Sequence, residues 1–318
     1  MSLPSARGIG GDVLRGVTPG SERPQRKTRR GDGLAAAGFL APSGIGFLLF
    51  VLTPTVGVVL LSFFDWNLLS PPSFVGGANY LQLFKDHHLL AVFGSTTYMA
   101  VAILAINIVI GLLLAVLLEV RMPRWIRGFF RLSFLFPFVV SSSAVALIWR
   151  FLLDKDFGLV NYWLSFLGIQ HINWLGTTQW APVAIILVNS WKTLGFSILI
   201  YIAGLQGIPN EVREAAIVDG ANAWTRFWRI TFPLLSPTVF FLLVINTINA
   251  FQVFAEPRVL TQGGPGDSSR TIVEYIYDTA FQGFEIGYAS TVGLTLVLLL
   301  VILTLIQFRL SRRWTFYE

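Results

Sequence analysis

An all-α, polytopic membrane bundle of six transmembrane helices is the fold class this sequence predicts, and three observations carry it. Apolar residues fill 54% of the 318 positions and charged residues only 13%, too little polar surface to cover a water-soluble core of that length. The apolar residues gather into six stretches of about 20 residues or more, each long enough to cross ~30 Å of hydrocarbon as a helix. Lys and Arg cluster on alternate sides of those stretches, which is how positive charge sets membrane topology. Lipid offers the backbone no partner, so every stretch must satisfy its own N–H and C=O groups as a helix.

Taken in order, residues 1–37 form a basic tail. From Arg7 to Arg30 it is rich in Gly, Pro and Arg and is expected to be disordered, its charge serving as a positive-inside anchor or as a contact for lipid headgroups. Ala35-Ala36-Ala37 precedes the first apolar stretch rather than following it, so it is not a signal cleavage site and the first span is expected to be retained. Spans are expected at about 38–64, 93–118, 129–153, 181–204, 234–256 and 287–308. Pro42, Pro54 and Pro137 fall inside or at the ends of these spans and are read as tolerated kinks. A short tail, 309–318, closes the chain.

The charges orient the bundle. Segments 1–37, 119–131, 205–233 and 309–318 hold seventeen of the 23 Lys and Arg residues. The opposite side holds five, namely Lys85, Arg150, Lys155, Arg258 and Arg270, and Lys192 lies within a span. Both termini are therefore expected in the cytoplasm. Since the formal charge of +6 is spent on topology, nucleic-acid binding is not expected. The outer aromatics Trp163, Trp174 and Trp180 are expected to sit at the membrane interface as anchors. His87 and His88 have no partner carboxylate at a useful spacing, and with no cysteine in the chain no metal site is expected.

The segment 205–233 departs from an ordinary connection by reading as two short helices hinged at a glycine. Pro209 suits a helix start, Glu211 and Glu214 favour the positive end of the helix dipole, and Ala215 and Ala216 give a narrow surface. Gly220 permits the positive φ of a sharp reversal, Asn222 then caps a second helix, and Trp224, Phe227 and Trp228 share one face of it.

Glu214-Ala215-Ala216, three residues, Gly220, nine residues and Ile230-Thr231-Phe232-Pro233 resemble the cytoplasmic Glu-Ala-Ala coupling loop of ABC importer permeases. Phe232 stands where that family usually has Leu. Leu205-Gln206-Gly207-Ile208-Pro209, Leu260-Thr261-Gln262-Gly263-Gly264-Pro265, Phe74-Val75-Gly76, Asn79-Tyr80 and Gly158-Leu159-Val160-Asn161 narrow the resemblance to the maltose-type carbohydrate-uptake permeases, which include glycerol-phosphate carriers. The resemblance implies that Glu214, Ala215, Ala216, Asp219 and Gly220 engage a separate ATPase. It also implies a bacterial or archaeal plasma membrane, two ATP-binding subunits, a second permease subunit and an extracytoplasmic solute-binding protein. No Gly-x-x-x-x-Gly-Lys-Ser/Thr phosphate loop occurs in this chain. No cofactor of its own is therefore expected, ATP and magnesium belonging to the partner ATPase.

Two spans carry more polarity than lipid contact permits. At about 100° per residue, Asn189, Lys192, Thr193 and Phe196 share an arc of about 100° in the fourth span, and Asn246, Asn249, Gln252 and Glu256 share one of about 120° in the fifth. Such faces serve either as interhelical hydrogen-bonding glue or as a solute path; the resemblance places a solute site on the last three spans. Lys192 either pairs with Glu256 or faces an anionic solute. An ion-coupled secondary transporter would need buried acids or inverted halves, and a membrane enzyme would need convergent nucleophiles, acids or metal ligands; neither pattern is evident, and no catalytic residue is assigned.

The charge bias makes one direct prediction. A reporter fused after Glu318 should be cytoplasmic, and a cysteine at Ser268 should label from outside. Labelling of a cysteine at Thr225 by an impermeant external reagent would overturn the topology.

Overall fold

The computed structural model describes residues 30–119 and 122–312. The expected disordered tail lies outside these residues up to position 29, as do positions 313–318 of the terminal tail. The described residues fall into two compact units divided between Pro54 and Thr55. α1 (Arg30–Phe47) begins ahead of the expected boundary at 37 and is followed by a π-helical turn, Leu48–Leu52, and by α2 (Thr53–Leu61), in which the first unit ends. Pro54 has no N–H to donate, and the Thr53 hydroxyl donates instead to the Leu48 carbonyl at 2.8 Å, so the widened turn absorbs the proline without breaking the helix.

In the second unit a two-residue antiparallel ladder, β1 (Phe64–Asp65) with β2 (Ser73–Phe74), pairs Phe64 with Phe74, and α3 (Ala78–Leu83) follows. The Asn79 amide holds this corner by donating to the carbonyls of Ser62 and Phe64 at 2.9 and 3.0 Å. The second span is α4 (His87–Ala105), a π turn Ile106–Ile110 and α5 (Gly111–Leu118), continuous from His87 to Leu118. Asp86 caps it, accepting from the Leu89 amide at 3.0 Å and from the hydroxyls of Tyr275 and Tyr288 at 2.5 and 2.6 Å.

The third expected span is not one straight helix. α6 (Arg124–Val139) and α7 (Ser142–Leu152) meet at 101°, because Val140 and Ser141 adopt extended backbone with ψ of 146° and 131°. Among the described residues five helices are long and apolar enough to cross a membrane, six if this bent pair counts as one. α8 (Leu159–Ser165) then leads to α9 (Trp180–Gln206). The Asn161 side chain staples this connection by donating to the Ile172 carbonyl at 2.9 Å and accepting from the Ile172 amide and the Trp174 indole at 3.1 and 3.0 Å. Trp174 is therefore not an interfacial anchor: it is 7% exposed, its one polar atom satisfied inside the protein.

α9 is the central element. Its Gly195 lies so close to α6 that a Cβ would fall 1.8 Å from the Phe134 carbonyl oxygen, and the two backbones touch because no side chain intervenes. After α10 (Asn210–Val218) and α11 (Ala223–Arg226), a π turn at Phe227–Thr231 feeds α12 (Phe232–Phe251). α13 (Ala255–Leu260), α14 (Ile272–Tyr277), a π turn at Asp278–Gln282 and α15 (Ile286–Ser311) complete the chain. Two apolar clusters fill the unit. One gathers Leu89, Met99, Ile185, Phe251, Ile272 and Val292; the other gathers Leu118, Ile198, Tyr201, Leu205, Leu235 and Leu242 at the end carrying residues 205–233.

The opposite end is tied by charge. Arg258 Nη1 lies 2.9 Å from Asp278 Oδ1 and 3.8 Å from Glu274 Oε1, and Arg270 Nη1 lies 2.8 Å from Asp267 Oδ1. His88 does have a carboxylate partner, Asp267 at 3.1 Å, brought in from far along the chain. Glu274 is fully buried. Burial, with the Asp278 carboxylate adding to it, pushes the Glu274 carboxyl up to about 7 against the pull of Arg270 and Arg258.

That raised value fixes a sign. The stability carried by neutral Glu274 is present in full below its ordinary value of 4.5 and is lost as pH rises through about 7. Thermal unfolding of purified protein should show Glu274→Gln level with the parent near pH 4.5 and melting a few degrees higher near pH 8. A variant less stable than the parent at the higher pH would show that Glu274 works as a buried ionised partner of Arg258.

Candidate coupling segment and solute path

Two groups of residues form the candidate site, one at the end of the bundle and one within it. At the end, α10 starts after Pro209, whose ψ of 138° breaks it from α9, and stops at Asp219. Gly220 follows with φ +75°, and the Ala221 amide closes back on the Ala216 carbonyl at 3.0 Å. That left-handed turn is the hinge, and it reverses the chain without side-chain packing: a Cβ on Gly220 would meet nothing within 4 Å. Asn222 caps the next helix, its side chain accepting from the Thr225 amide at 2.8 Å.

α10 turns its polar and apolar residues outward together. Glu214, Ala215 and Asp219 are exposed, as are Ile217 and, at 87%, Val218. Ala216 departs from the expected presenting surface, being 5% exposed and packed against its own chain. Exposed branched apolar side chains beside a carboxylate on a short helix suit insertion into a groove on another protein. Behind the helix a cleft of about 390 Å³ is lined by Val116, Glu119, Leu205, Ile217, Arg226 and Phe227. Glu119 braces its floor, accepting from Arg131 and Gln206, each at 3.1 Å.

The second helix of the pair is not a separate element. α11, the π turn and α12 are one helical run, Ala223–Phe251, which makes up most of the candidate span Ala223–Leu260. Pro233 lacks an N–H and crowds the carbonyl a turn earlier, and the π turn immediately before it gives the backbone that room. Trp224, Phe227 and Trp228 do share a face, their rings packing edge to face at 5.7 and 5.1 Å.

Within the bundle the structure sorts the polar residues of α9 and α12. Thr193 accepts from the Asn107 amide at 2.9 Å, and Asn246 donates to the Ser197 hydroxyl at 3.1 Å, so both tie helices together. Asn249 and Gln252 are exposed. Gln252 and Glu256 do not continue the helical face of Asn246 and Asn249, because α12 ends at Phe251 and a break precedes α13; the count of 100° per residue stops there. Glu256 nevertheless comes back to α9, close enough for Asn189 and Lys192 both to act on its carboxyl. Phe196 stacks on Phe138, ring centroids 5.1 Å apart at 20°, and the Lys192 ammonium lies over Phe138 at 5.8 Å. Sequence reasoning missed Phe138. Its proximity to Lys192 depends on where α6 ends, which apolar composition does not report.

Comparison with known proteins agrees with this arrangement. Residues 107–316, well over half the chain, match the family described as binding-protein-dependent transport system inner membrane component. The chain is 36% identical over 288 residues to the sulfoquinovosyl glycerol transport system permease protein SmoG of Agrobacterium fabrum, covering 89% of this chain and 92% of that one. It is 33% identical over 267 residues to the trehalose/maltose transport system permease protein MalF of Thermococcus litoralis, covering 83% and 89%. A solved bacterial ABC transporter involved in the import of the acidic polysaccharide alginate superposes with a TM-score of 0.80 at 27% identity, over 90% of this chain and 97% of that chain. The chain thus belongs to the binding-protein-dependent inner-membrane transport components and is a multi-pass permease subunit of a carbohydrate-type ABC importer.

Proposed function

We propose that residues 205–233 are the segment through which a separate ATPase drives this permease, with Glu214, Ala215, Asp219 and Gly220 at the contact and Ala216 supporting it from behind. The observation that carries the reading is the exposed Ile217–Val218 end of α10, hinged at left-handed Gly220. The partners are two ATP-binding subunits, a second permease subunit and an extracytoplasmic solute-binding protein; a neighbouring structure was solved in complex with a pentasaccharide-bound periplasmic protein. ATP and magnesium are bound by those ATPase subunits, and both termini of this chain face them. The basic tail before residue 38 anchors this orientation, 38–308 forms the permease domain, and the tail from 309 is cytoplasmic.

Closure of the ATPase dimer displaces α10, and the displacement passes through the Gly220 turn into the run beginning at Ala223. That run carries Asn249 on a face left uncovered by this subunit, so rocking the helix alternates access to a path shared with Asn189, Lys192 and Phe196 of α9. Amide groups beside aromatic faces suit hydroxylated solutes. The match of residues 107–316 to binding-protein-dependent transport components supports coupling to hydrolysis over coupling to an ion gradient.

Gly220→Val forces a β-branched residue into positive φ at a cost of about 1–3 kcal/mol with no clash to add to it, and Glu214→Lys reverses a charge on the contact face. Both variants should reach the membrane at parental levels yet lose most solute-stimulated ATPase activity and uptake in proteoliposomes. Parental coupling in both would remove the assignment of this segment.

A further inference from the structure

Lys192 is 8% exposed and sits in the middle of α9, where an ammonium without a contacting counter-charge is unfavourable. Among the described residues no carboxylate forms an ion pair with it. Glu256 senses its charge from a distance without closing to an ion pair. What Lys192 does meet is the Phe138 ring, which Phe196 extends into a stacked aromatic platform.

Phe138 lies in the last turn of α6, next to the interruption of the third span. At that interruption α7 begins with Ser141 in the capping position, and its side chain caps no amide. The opening turn of α7 therefore presents the positive end of a helix dipole at the break that also carries the aromatic platform under Lys192. Interrupted helices within a membrane are tolerated where they line a cavity rather than lipid, and paired half-helix ends commonly bind the charged part of a solute.

We propose that this junction is a subsite for an anionic sugar or polyol, the carboxylate, sulfonate or phosphate meeting Lys192 and the α7 amino end while the carbon skeleton lies against Phe138 and Phe196. The proposal rests on the reading that α9 lines the solute path. Glu256 offsets part of the Lys192 charge at a distance; an oxyanion in contact with the ammonium completes it. The preference for an anion comes from that difference.

The test uses the complete transporter reconstituted with its partner subunits, with Asn249→Cys as the reporter, since this chain has no cysteine of its own. Protection of that cysteine from a thiol reagent is titrated with sn-glycerol 3-phosphate against glycerol, and with methyl glucuronide against methyl glucoside. At least one anionic probe should protect at a concentration about tenfold or more below its neutral counterpart, the scale of a hydrogen bond to a charged group. Lys192→Met should erase that advantage and leave neutral probes within about twofold, while Lys192→Arg should retain it. Where Lys192→Met lowers yield, Glu256→Gln added to it should restore assembly and still show no anionic preference. Equal protection by charged and neutral probes, protection by none, or an unchanged preference in Lys192→Met overturns the subsite. A cysteine at Asn249 that no aqueous reagent reaches would instead remove the path reading beneath it.

Discussion

An unbroken helical run from Ala223 to Phe251 underlies everything else in this structure. A helix transmits displacement along its axis because each turn is hydrogen-bonded to the next, whereas a flexible connection of the same length would dissipate it. Here the run starts at the Asn222 cap outside the apolar region and passes Pro233, where a straight α-helix would ordinarily break. The π turn at Phe227–Thr231 lets it pass, exchanging hydrogen-bond register for room around the proline ring. The aromatic packing of Trp224, Phe227, Trp228 and Phe232 stiffens the same stretch. Gly220 supplies the complementary property, a single point at which the direction of the chain changes.

The buried polar groups divide by what they touch. Asn107 with Thr193, Asn246 with Ser197, and Asn161 with Trp174 satisfy one another and hold helices in register, as an apolar solvent demands. The charges at the far end form a lattice of Arg258, Arg270, Asp267 and Asp278 around buried Glu274. Lys192 belongs to neither group. The close approach of α6 to Gly195 brings Phe138 beneath it, so the same contact that packs α6 on α9 also shapes the candidate subsite.

Much of this was legible in the sequence because its cause is local. Lipid length sets the apolar runs, and the φ of +75° at Gly220 and the Asn222 cap follow from residue chemistry at one position. What was not legible depends on contacts distant in the chain. Val140 and Ser141 bend the third span by 101°; Ser141-Ser142-Ser143 interrupts the apolar run there, but serines alone do not set an angle, and only packing of α6 on α9 and α7 on α13 rewards the bend. Trp174 looks like an interfacial anchor until Asn161 accepts its indole hydrogen. His88 looks isolated until the fold delivers Asp267. Gln252 and Glu256 lie on the expected face only while the helix continues, and it stops at Phe251.

The central claim is that force enters at α10 and reaches the solute path through an unbroken helix. Insertion of two glycines between Arg229 and Ile230 would interrupt that run while leaving α10, Gly220 and the Asn222 cap intact. The decisive measurement is ATP-driven solute uptake by the reconstituted importer carrying this insertion, alongside co-purification of the ATPase subunits. The subunits should remain bound and hydrolyse ATP while uptake falls to the level without ATP. Uptake at the parental rate would contradict the claim.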